Sequence, residues 1–195
     1  MRPAFLAGSG LAVAALVFLG ACAQAPSMTV ERAPGLQIDR QAAATTVSKL
    51  EVLSLLRESS PAAAEFKLED DRYFFVTRDW VADMHRWFAA FLAQQMEPER
   101  VQEFLRSRPR KVALMLESIA ELQVQRDHTL KGQALVGVLS VECHRVDSQV
   151  PIDWDNCFYV IFGTREGFHV LEPVTGTIQP LRDFPLRESA RRVSF

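Results

Sequence analysis

The chain is poor in the residues that build metal centres. It has three cysteines and four histidines, His85, His128, His144 and His169. No two histidines stand four apart on a helical stretch, the spacing that presents two ligands from one face. Cys143 and His144 are adjacent, so on a strand they point to opposite faces and do not share an ion. No metal site and no cofactor are expected. A charge of one sign is lacking too: 22 Lys and Arg stand against 24 Asp and Glu, a net charge of −2. That balance argues against a nucleic-acid partner. Internal repeats are absent. Disorder of the body is excluded by an apolar content of 48%.

What is there begins with "MRPAFLAGSGLAVAALVFLGAC". One charge, Arg2, precedes an apolar run that ends in small residues. The run is too short and too poor in large side chains for a membrane span, and fits the core of a secretory signal. Its end, Leu19-Gly20-Ala21-Cys22, resembles the lipobox of bacterial lipoproteins. The resemblance implies a signal peptide over 1–21, acylation of Cys22, and anchoring in a lipid bilayer through more than one acyl chain. In the enterobacterial version of that family an Asp after the Cys favours inner-membrane retention. Ala23 therefore implies the outer membrane, with the chain facing the periplasm. Residues 22–40 carry two prolines and no sustained period, and read as a flexible tether with an edge strand at Leu36–Ile38 as the alternative. Residues 41–195 suit a single domain.

The spacing of Val47, Leu50, Leu53 and Leu56 predicts a first helix over 42–57. The stretch "AAAEFKLEDDRYFFVT" is ambiguous between a short helix at 62–66 and extended chain, with a strand piece expected at Tyr73–Val76. Thr77 is a good N-cap for a helix carrying Trp80, Met84, Trp87 and Phe91 at helical spacing, and this aromatic stripe reads as core. Pro98 opens a third helix to about Arg106. Pro109 opens a fourth, 110–126, with Val112, Met115, Leu116, Ile119 and Leu122 inward. His128, just beyond it, suits a helix C-terminus. Arg100, Arg106, Arg108, Arg110 and Lys111 form a basic run, read as a solvated face balanced by Glu97, Glu99 and Glu103. After Lys131-Gly132 the period becomes that of strands: "QALVGVLSVECHRV", "CFYVIF", "FHVLEP" and "TIQPL", separated by turns. Helices followed by an antiparallel meander give an α+β class, with helices packed on a four-stranded antiparallel sheet.

With Cys22 acylated, two cysteines remain, and in an oxidising compartment an even pair is most simply a disulfide. A hairpin centred near Val150 places Cys143 opposite Cys157, Val141 opposite Tyr159 and Leu139 opposite Ile161. The staple would close the loop "HRVDSQVPIDWDN". Its apolar tip, Ile152 and Trp154, is a candidate partner contact.

From about Pro109 onward the order of elements resembles bacterial transglutaminase-like, papain-like proteins. "HVLEPVTGTIQPL" carries Glu172, Pro173, Thr175 and Gly176, similar to that family's V-E-P-Q-T-G strand end. The family opens its core helix with a Cys in a D-C-[DE]-N-F-A context. Laying Val112-Ala113 on F-A puts Pro109 where that Cys stands. Asp155-Asn156-Cys157 stands where its His opens a strand. A proline offers neither a thiolate nor a proton, so the resemblance implies a scaffold with its catalytic residues missing. The expected function is a non-catalytic binding or structural lipoprotein with an envelope protein partner. The enzyme alternative is a hydrolase or acyl transferase using Cys157, with His144 or His169 as base and Glu172 as orienter. An inhibitor or immunity-type lipoprotein fits the size and address, with no motif of its own.

Overall fold

The computed structural model of the chain describes Ile38 and residues 40–143 and 156–195, all within one compact unit, Arg32–Phe195. The signal segment, Cys22, most of the tether, and the hairpin tip with His144, Ile152 and Trp154 lie outside the described residues. Elements run in the order α1 (Arg40–Ala43), β1 (Thr46–Ser48), α2 (Lys49–Ser59), β2 (Glu65–Lys67), β3 (Arg72–Phe74), α3 (Arg78–Gln95), α4 (Pro98–Ser107) and α5 (Pro109–Arg126). Then come β4 (Gln133–Ala134), β5 (Val136–Glu142), β6 (Asn156–Thr164), β7 (Gly167–Leu171), β8 (Ile178–Pro180) and β9 (Ala190–Ser194). The class is α+β. Among the described residues no helix is long and apolar enough to cross a membrane.

The expected first helix is broken. Ser48 sits in extended backbone and caps α2: its Oγ accepts from Glu51 N at 3.3 Å, and its own N–H donates to the Glu51 carboxylate at 2.7 Å. This capping box starts a helix at Lys49 and leaves the β-branched Thr46 and Val47 to pair with β3. The buried face shrinks to Val52 and Leu56, and Leu50, expected inward, is 77% exposed.

Helix α3 starts where expected, with Thr77 Oγ1 accepting from Trp80 N at 3.2 Å. Trp80, Val81, Met84, Phe88 and Leu92 are buried, and Trp87 stacks on Phe91 at the margin of the core. Of the aromatic stripe, Trp80 and Met84 are core, while Trp87 and Phe91 are partly buried against it.

Helix α5 crosses β5 and β6. It buries Val112, Ala113, Leu116, Ala120 and Val124, while Met115 and Leu122, expected inward, are exposed. The two alanines explain the rotation: small side chains let the helix axis lie close to the sheet, turning the bulkier flank outward.

The main sheet has six strands, in the order β2-β9-β5-β6-β7-β8, rather than the expected four. The meander β5 to β8 is antiparallel as read from the sequence. On its other side β9 pairs antiparallel with β5, and β2 pairs parallel with β9. Thus Glu65–Lys67, which overlaps the segment weighed as a short helix, is one edge strand of the sheet. The chain end, unassigned from sequence, is an interior strand. Gly137 makes this possible, since a Cβ there would lie 1.9 Å from the Ser194 carbonyl oxygen. A second sheet, β1-β3-β4, has three strands. One face of the six-stranded sheet meets α3, α4 and α5 through Val136, Val138, Val160 and Phe162. The opposite face meets α2 and the chain end through Leu139, Val141, Ile161 and Val193.

The Cys143–Cys157 disulfide is present, with Cα atoms 5.8 Å apart. The hairpin register beneath it differs from the expected one by two residues. Cys157 faces Val141, Tyr159 faces Leu139, and Ile161 faces Gly137. A shift of two keeps every side chain on the same face, so alternation cannot distinguish the registers. The disulfide is therefore diagonal. It closes because Cys143 lies one residue past the last paired position, Glu142, and is no longer held by the ladder.

Candidate binding cleft

The motif residues Glu172, Pro173 and Gly176 form a structural turn. The Glu172 carboxylate accepts from Val174 N at 3.0 Å and Thr175 N at 2.5 Å, while Glu172 O accepts from Gly176 N at 2.9 Å. Gly176 has φ +73° and packs its Cα against the His85 ring, where a Cβ would come within 2.7 Å. His85 Nε2 lies 2.9 Å from Pro173 O and donates to it. These hydrogen bonds tie the turn to α3 and leave Glu172 engaged with its own backbone.

Among the described residues the enzyme arrangement built on Cys157, with His169 as base and Glu172 as orienter, is not assembled; the alternative base His144 lies outside them. The Cys157 sulfur is bonded to Cys143. His169 pairs across the ladder with Phe162, five residues along β6 from Cys157, or roughly 16 Å at the rise of a strand. His169 is buried and stacked on Phe162, and its Nδ1 donates to Gly167 O at 3.2 Å. Burial holds its pKa below the ordinary histidine value. Among the described residues no group of three or more His, Cys, Asp and Glu is placed to hold a metal ion.

A concavity lies elsewhere, beside helix α5. Helix α5 covers β5 and β6 but stops short of β9 and β2, leaving a cleft of about 770 Å³ between its flank and the sheet. Sheet register lays out the floor. Glu65, Arg192, Ser140 and Phe158 form one row across β2, β9, β5 and β6. Lys67, Ser194 and Val138 form the next. A bulge opposite Ser140 and Val141 makes Arg191 the extra residue of β9, and its guanidinium pairs with Glu142. The helix wall is the stripe Arg110, Leu114, Glu117 and Glu121, at i, i+4, i+7 and i+11.

The charges of the cleft are only partly matched. Arg192 lies 3.7 Å from Glu65, and Lys67 pairs with Glu69. Among the described residues Arg110, Glu117 and Glu121 have no ion-pair partner. The Arg110 guanidinium sits 5.6 Å above the Phe158 ring. Glu117 is half-buried, and burial, assisted by the neighbouring Glu121 and Glu69 and opposed by Lys67, pushes its carboxyl up to about 7. Glu121 is raised by burial as well.

None of these cleft residues is singled out by a sequence motif. The available signal is the like-charge pair Glu117 and Glu121, one turn apart with no cation one turn from either, an arrangement that disfavours a helix unless something offsets it.

No model of a known protein family matches this sequence, and no curated protein matches it. Solved structures do. The fold is similar to one named PSL1a-E64 complex, with a TM-score of 0.55 and 16% identity, over 77% of this chain and 51% of that one. The chain spans about half the length of that structure, and at this identity the likeness concerns the fold.

Proposed function

We propose that the chain is a lipoprotein anchored through acylated Cys22 in the outer membrane, facing the periplasm. Its domain would be a transglutaminase-like scaffold that binds an envelope partner without covalent chemistry. The observation that carries the second part is the meeting of α5 with β6. The resemblance puts a nucleophile at the start of that helix and a base at the start of that strand. Arg110 over Phe158 brings those two places together. The residues there are Pro109 on the helix and a disulfide-bonded Cys157 on the strand. A cyclic amine nitrogen locked in the backbone and an oxidised sulfur offer neither attack nor proton transfer. The adjoining cleft, open and bordered by unmatched charge, then serves as the binding site.

Three measurements test this. Metabolic labelling with an alkyne fatty acid should mark the chain, and Cys22→Ser should abolish the mark. A photo-crosslinker at Leu114, in the cleft wall, should capture a component of intact envelopes, whereas one at exposed Leu50 should not. E64, named with the solved neighbour, should leave the intact mass unchanged. A stable mass increase at Cys157 would return the cysteine-enzyme reading.

A further inference from the structure

We infer that the α5 cleft takes an extended peptide segment bearing a cationic group and an anionic group about three residues apart. The cation would be held by Glu117 and Glu121 and the anion by Arg110. This rests on the reading of the cleft as the binding site. The argument is one of unmatched charge along a fixed ruler. Once Lys67 is assigned to Glu69, Arg192 to Glu65 and Arg191 to Glu142, the cleft retains one cation and two carboxylates. All three stand on one stripe of α5. The helix rise separates Arg110 from Glu117 by about 10 Å and from Glu121 by about 16 Å. An extended peptide advances about 3.3–3.6 Å per residue, so three residues span the shorter distance and side chains cover the rest.

The floor suits a chain lying along it. Val138 and Phe158 supply apolar surface, and Ser140 and Ser194 supply hydroxyl groups for a peptide backbone. Helix α5 forms one wall, and the edge strand β2 forms the opposite rim with Glu65 and Lys67. A merely solvated face explains the matched pairs on β2 and β9. It does not explain Glu117, a carboxylate drawn partly out of water beside a like charge, which folding alone would discard. A ligand ammonium restores what that carboxylate lacks.

The probe is the peptide acetyl-Lys-Ala-Ala-Glu-amide, titrated calorimetrically into the full chain at low salt. Replacing the peptide's lysine by alanine should weaken binding about tenfold or more, and Glu117→Gln/Glu121→Gln should do the same. The two changes together should cost no more than either alone, the mark of one shared contact. The peptide's glutamate and Arg110→Gln should behave alike. Glu117→Gln is not expected to unfold the domain, so loss of binding reads the contact itself. If the Leu114 crosslinker captures an envelope component but the peptide binds without regard to its charges, or does not bind, the inference is wrong and the binding cleft stands. If Leu114 captures nothing, the binding-site reading falls and the inference with it.

Discussion

Replacing Glu117 by Gln should stabilise the protein, and only above neutral pH. A free glutamate titrates near 4.5, and in the folded chain Glu117 is pushed up to about 7 by burial, with Glu121 and Glu69 adding to the rise and Lys67 opposing it. Between those values the folded chain holds a proton that the unfolded chain has released. Stability therefore falls as pH rises from about 4.5 through 7, and the deficit is complete above 7. At 1.36 kcal/mol per unit, a rise of 2.5 units sets an upper bound of about 3.4 kcal/mol. The cleft is open to water, which screens the carboxylate, so about 1–2 kcal/mol is the working figure. Gln has the same shape and no charge to desolvate. Urea unfolding of the oxidised protein should show Glu117→Gln more stable by about 1–2 kcal/mol at pH 8, and equal to wild type within error near pH 4. With the usual urea slope this is a midpoint shift of about 0.5–1 M at pH 8. A gain of equal size at both pH values would refute the reasoning, because it would trace to propensity or packing. A loss at pH 8 would show that the carboxylate has a cation partner after all.

Three further outcomes follow from the same structure. His169, buried and holding its proton on Nδ1, should titrate below 6.5 by NMR of its ring protons. Its share of stability is complete above 6.5 and is lost as pH falls through the folded-state value, so a midpoint above 6.5 contradicts the burial argument. Cys143→Ser/Cys157→Ser, which opens a loop of sequence separation 14, should cost about 3 kcal/mol in the same urea assay, and a non-reducing peptide map should recover the two cysteines joined. Gly176→Ala should cost about 1–3 kcal/mol, since it puts a side chain at φ +73° and a Cβ against the His85 ring. Part of that cost should vanish in a His85→Ala background, and strict additivity of the two changes would contradict the contact.

Much of the fold was legible because local chemistry wrote it. Helices α3, α4 and α5 begin at Thr77, Pro98 and Pro109, where a side-chain oxygen or a proline ring sets the first turn whatever lies around it. The capping box at Ser48 and Glu51 was equally local. It lost to the leucine period because that period continues through the break. Strands β9 and β2, which extend the sheet beyond β5, were not legible. Strand β9 reads Ala190-Arg191-Arg192-Val193-Ser194, with two apolar residues and no alternation. It is a strand because β5, some fifty residues upstream, offers an open ladder and Gly137 lets it approach. Strand β2 pairs only with β9, and so inherits the same dependence.

The sequence by itself determined helices α3, α4 and α5, the antiparallel meander, and the pairing of Cys143 with Cys157, because hydrophobic period, caps and turn residues act over a few positions. It left undecided which of two hairpin registers, one step of two residues apart, carries that disulfide, since both put the same side chains on the same face. Tertiary structure decided this. It also decided which flank of α5 meets the sheet, through Ala113 and Ala120, and thereby which residues overhang the floor. Arg110, Glu117 and Glu121 face one cleft because small residues let the helix settle onto β5 and β6 while β9 and β2 extend the sheet beyond it. No short-range pattern encodes that juxtaposition, for it is made by segments that meet only once the chain has folded.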